Sequence, residues 1–83
     1  MDEHRQQQSA QAAYMLSGLN SLDAWLAYYG LGGQLTEEDT DAYLNGLMPI
    51  PALQRDLVAE ALNERLNSQN LPGLASYADD HDS

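Results

Sequence analysis

Apolar positions recur at helical spacing in four stretches of the chain. Ala12, Met15, Leu16 and Leu19 fall at i, i+3, i+4 and i+7, the spacing of one face of a first helix. Gly18 either ends that helix or bends it. Leu22, Trp25, Leu26 and Tyr29 repeat the pattern and predict a second helix with these four residues on its core face. Ser21 suits its N-cap, Asp23 its first turn and Gly30 its end. Thr36 caps a third helix, with Asp39 at the capping-box position and Tyr43, Leu44 and Leu47 on the apolar side. Met48-Pro49-Ile50-Pro51 breaks the chain, and Pro51 is suited to open a fourth helix over 51–67.

The fourth helix is the most regular. At 100° per residue, Leu57, Val58, Ala59, Ala61, Leu62 and Leu66 span a broad apolar arc, wider than one neighbour needs. The helix is therefore central to a bundle, or packs on two surfaces, one of which could be a second copy of the chain. Asp56, Glu60, Asn63, Glu64 and Asn67 gather on its other side.

Composition strengthens the helical reading. Leu and Ala dominate the apolar content, and the β-branched residues are only Val58, Ile50, Thr36 and Thr40. The 83 residues have room for one small domain or one protomer. The expected fold is all-α, a small orthogonal bundle of about four helices. Residues 1–9 form a polar, frayed lead-in, 10–76 a single helical domain, and 77–83 an acidic disordered tail.

Charge changes the picture of partners. Thirteen Asp and Glu stand against three Arg and no Lys, for a net charge of −10. Such a chain is repelled by nucleic acid phosphates and by anionic membranes, and a basic protein is the favoured partner. Asp56, Glu60 and Glu64 recur at i, i+4 and i+8, and neither Arg55 nor Arg65 has an acid three or four positions away. This stripe is an ordinary solvated face or an anionic strip offered to a basic partner. Glu37, Glu38, Asp39 and Asp41 make a second cluster, which also stabilises a helix dipole. Asp79, Asp80 and Asp82 make a third, in the tail. Tyr28 points about 100° away from its neighbour Tyr29, hence away from the expected core face, as an aromatic interface anchor would.

Candidate chemistry is sparse. Cysteine is absent, which excludes disulfides, thiolate metal sites and cysteine nucleophiles. His4 and His81 lie near opposite ends of the chain. Asp39-x-Asp41 opens like a calcium loop, but Leu44 and Ile50 occupy the positions of its glycine and final glutamate. No enzyme activity, metal or cofactor is expected, nor a membrane span or an N-terminal secretion signal; the location expected is the cytoplasm. Asn20-Ser21-Leu22-Asp23 resembles, over four residues, the Asp-Ser-Leu motif of acyl carrier proteins. That resemblance implies a carrier protein modified on Ser21, although Asn20 replaces the motif's Asp.

Two function classes follow. In the first, a non-enzymatic acidic module binds and inhibits a basic, nucleic-acid-binding protein, its carboxylates standing in for phosphates, in the manner of phage, plasmid or immunity inhibitors. The residues expected to carry this are Asp56, Glu60, Glu64, Glu37, Glu38, Asp39, Asp41 and Tyr28. In the second, a helical adaptor or assembly protein binds through an apolar surface, and acidity serves solubility.

Overall fold

The computed structural model describes residues 3–78, and within them the chain is an all-helical bundle of four helices. These are α1 (Glu3–Ser17), α2 (Ser21–Gly30), α3 (Glu37–Leu44) and α4 (Ala52–Ser68). The helix ends follow local chemistry. Gly18, at φ 73°, closes α1 in the left-handed conformation that glycine adopts without strain. The Asn20 side chain accepts the Asp23 N–H at 2.8 Å, so Asn20 caps α2 and Ser21 is its first residue. Thr36 caps α3 as the sequence predicts, accepting from the Asp39 N–H at 3.1 Å. Pro51 stands one position before α4, as its N-cap, and Ala52 opens the helix.

Interfaces run from α1 to α4, α4 to α2, α2 to α3 and α3 to α1, so α3 and α4 stand at opposite corners. Gln6 bonds to Asp56 at one end of the α1/α4 pair, and Gln69 bonds to the Ser17 carbonyl at the other. These two helices therefore run in the same direction. The broad arc of α4 is buried as expected: Val58, Ala59, Ala61, Leu62 and Leu66 are buried, and Leu57 packs against the core. Tyr28, Tyr43, Leu44 and Ile50 complete it.

The N-terminal helices depart from the predicted pattern. Residues 1–9 were expected to fray, yet helix begins at Glu3 and Gln6 is buried. The face of α1 that meets the core is Gln6, Ala10, Ala13 and Ser17, whereas Met15 is 82% exposed. The cause is a polar network. Arg55 Nε donates to Gln6 Oε1 at 2.6 Å, and Gln6 Nε2 donates to Asp56 Oδ1 at 3.0 Å and to the Ser76 carbonyl at 3.1 Å. A buried glutamine satisfied on both ends ties this face of α1 to Arg55 and Asp56 of α4 and to Ser76.

The phase of α2 is likewise turned. Ala24 and Tyr28 are buried, while Leu22, Leu26 and Tyr29 are exposed. Trp25 is half-buried, stacks on Tyr29 and donates its indole N–H to the Leu35 carbonyl at 2.9 Å. Leu47, expected on the apolar side of α3, is exposed as well, because α3 ends at Leu44.

After α4 the chain turns back. Asn63 exchanges two hydrogen bonds with the backbone of Ala75, Ser9 Oγ accepts the Ser76 N–H, and Asp56 Oδ1 accepts the Ala78 N–H. Residues 75–78 thus lie as a strap between α1 and α4, with Tyr77 packed against the core. The expected tail begins at Tyr77, but Tyr77 and Ala78 belong to this strap; the remainder of the tail, with Asp79, Asp80, His81 and Asp82, lies outside the described residues.

Candidate functional site

The structure redistributes the residues the sequence singles out. Tyr28 is not a surface anchor: it is fully buried. Its hydroxyl donates to Gln54 Oε1 and accepts the backbone N–H groups of Gln34 and Leu35 at 3.0 and 2.9 Å. The loop after α2 wraps over the ring, and Gly33 makes this possible, since a β-carbon there would overlap the Tyr28 ring.

Asp56 separates from the acidic stripe. Both bonds to its Oδ1, from Gln6 and from the Ala78 N–H at 2.7 Å, hold the fold together. Arg55, beside it in sequence, reaches Gln6, the Ile50 carbonyl at 2.7 Å and Glu3 at 3.3 Å. Glu60 and Glu64 remain exposed on α4. On α3, Glu38 is exposed, while Glu37, Asp39 and Asp41 are half-buried. Glu37 accepts the Ser21 hydroxyl at 3.3 Å, and Asp41 accepts from Asn45 Nδ2 at 3.2 Å. Because α3 and α4 occupy opposite corners, the two acidic groups do not merge into one face.

The distribution of cations is equally uneven. Between Arg5 and Arg55 the chain has no Lys or Arg and five carboxylates, Asp23, Glu37, Glu38, Asp39 and Asp41. The whole of α2 and α3 lies in that interval. Among the described residues, Asp23, Glu38, Glu60 and Glu64 face no cation within ion-pair distance.

Among the described residues, no group of three His, Asp or Glu side chains converges on one point. An open cleft of about 250 Å³ lies between Glu3, His4 and Gln7 of α1 and residues 46–49. Its central amide, Gln7 Nε2, already donates to the carbonyls of Tyr43 and Met48. Among the described residues, the buried Tyr43 hydroxyl has no hydrogen-bond partner. Burial pushes its pKa up to about 12; Arg55 opposes the shift, while Glu3 and Asp56 add to it. Burial also raises the Tyr14 hydroxyl, helped by Asp41.

The residues that sequence reasoning missed are Leu22, Leu26 and Tyr29, which it assigned to the core. A signal was present. Apart from Ser21, Asp23 and the terminal Gly30, every residue of α2 is apolar or aromatic. An edge helix in a small bundle cannot bury such a surface all the way round.

No protein-family model, no curated protein and no solved structure matches this chain. Among the described residues, no helix is long and apolar enough to cross a membrane.

Proposed function

We propose that this protein is a non-enzymatic acidic interaction module that binds a basic protein and blocks its nucleic-acid-binding surface. The observation that carries the reading is the set of exposed carboxylates, Glu38, Glu60 and Glu64 together with Asp23, which make no ion pair among the described residues of a chain of net charge −10. A typical helical surface mixes both signs at i, i+4 spacing; this one leaves Glu60 and Glu64 in mutual repulsion. Against an Arg- or Lys-rich groove, that repulsion is relieved on binding, and the summed field accelerates encounter.

The test is a pull-down from the native host with a salt-gradient elution, followed by competition. Support is a basic nucleic-acid-binding protein that elutes at moderate salt and loses its nucleic acid when this chain is added. A partner retained through high salt, whose nucleic acid binding is unaffected, refutes the reading.

A further inference from the structure

The outer side of α2 presents an apolar ridge that no other part of the described chain covers. Leu22, Leu26 and Tyr29 recur at i, i+4 and i+7 and are 48%, 50% and 58% exposed. Ala24 and Tyr28, buried at 3% and 0%, lie on the opposite side of the same helix. The ridge rises about 10 Å along the helix axis, roughly two turns. Trp25 flanks it and is held in place by its stack on Tyr29, with centroids 5.1 Å apart, and by its bond to Leu35. The exposed Tyr29, held by its stack on Trp25, supplies the aromatic anchor of an interface centre, and the exposed leucines beside it add apolar area to bury.

The charges around the ridge choose among occupants. Asp23 is exposed on α2 one position after Leu22, Glu37 is bonded to Ser21 at the N-terminal end of the ridge, and the exposed Glu38 follows it on α3. No Lys or Arg occurs anywhere in α2 or α3. A second copy, docked ridge to ridge, would bring the carboxylates of α2 and α3 against their own copies with no cation on either helix to compensate, which is unfavourable. A helix with leucines on one face and Lys or Arg on its flanks satisfies both features. Its apolar face packs on Leu22, Leu26 and Tyr29, and its cations meet Asp23, Glu37 and Glu38.

We infer that the outer face of α2 is the docking surface for a basic amphipathic helix of the partner. This inference rests on the proposed binding of a basic protein and adds the surface and the recognition element. A two-turn ridge is a small contact, so a modest affinity is expected, with field-driven association and an apolar residence time.

The probe is a 14-residue helical peptide of Leu and Lys patterned with one apolar face. Its controls are oligolysine of equal charge and the same pattern with Glu for Lys. Fluorescence of Trp25, the single tryptophan, reports binding, and amide shifts of the unsubstituted chain locate it. The Leu/Lys peptide is expected to bind at least tenfold tighter than either control and to shift residues 22–29 most. Leu22→Ser with Leu26→Ser is expected to weaken it at least tenfold, and Met15→Ser, on a different helix, to leave it unchanged. Shifts centred away from α2, with both basic probes still binding, overturn the α2 surface and spare the basic-partner reading. Equal binding of the Glu-containing peptide overturns both. A dimer of the chain in sedimentation that dissociates in the Leu22/Leu26 variant assigns the ridge to a second copy and overturns the inference.

Discussion

The Tyr28 hydroxyl donates to Oε1 of Gln54, joining α2 to the first turn of α4 across 26 residues of sequence. The same oxygen accepts two consecutive backbone N–H groups, from Gln34 and Leu35, so one side chain organises three segments. Every hydrogen-bonding capacity of this buried hydroxyl is used, which explains why Tyr28 rather than Tyr29 turns inward.

Tyr28→Phe is therefore expected to destabilise the fold by about 1–3 kcal/mol, because the Leu35 N–H loses its partner while remaining partly buried. Gly33→Ala is expected to do comparable damage by displacing the ring. The two costs should add less than fully, since a ring displaced by Gly33→Ala also loses the hydrogen bonds that Tyr28→Phe removes. Urea unfolding followed by Trp25 fluorescence measures each. A Tyr28→Phe chain as stable as the parent would refute the network's role.

Tyr43 makes the opposite case. Its buried hydroxyl finds no partner among the described residues, so Tyr43→Phe is expected to leave stability unchanged or raise it by up to ~1 kcal/mol near neutral pH. Alkaline pH sharpens the test. The folded state holds the Tyr43 proton up to about pH 12, whereas an unfolded tyrosine releases it near 10. Between those values the unfolded state binds fewer protons, so stability falls as pH rises. The stabilising contribution is complete below about pH 10 and is lost by about 12, roughly 2–3 kcal/mol in all. Unfolding midpoints across that window should decline steeply in the parent and less in Tyr43→Phe. A residual slope from Tyr14, raised in the same direction, should persist.

These residues also show what the sequence could and could not display. The arc of α4 and the Thr36 cap were legible because their determinants are local: helical spacing in one case, a side chain three residues from its partner in the other. The rotation of α1 was not legible, because Gln6 is buried by partners about 50 and 70 positions away. In α2 the apolar residues run nearly all round, so periodicity alone left the phase open, and Gln54 together with the loop at 33–35 decided it. The acidic positions were legible as charges. Which of them hold the fold together was not, since the strap that engages Asp56 returns from beyond α4.

Asp56 and Glu60, one turn apart on α4, should accordingly behave as different kinds of residue. Asp56→Ala removes the acceptor shared by Gln6 and the Ala78 N–H, and is expected to cost about 1–3 kcal/mol. Hydrogen exchange should show the strap at 75–78 and the first turns of α1 opening together, because Gln6 joins them. Glu60→Lys with Glu64→Lys touches no such bond and exchanges one i, i+4 like-charge repulsion for another, so stability should stay within about 0.5 kcal/mol of the parent. Its effect should fall on recognition. Association with a Lys-rich probe should slow, and its dependence on ionic strength should become shallower, because two charges of the attracting field are reversed. Thermal unfolding and stopped-flow association at two salt concentrations separate these outcomes. If the Glu60/Glu64 variant associates as fast as the parent at low salt, the outer face of α4 contributes nothing to the encounter, and the field that matters is that of α2 and α3.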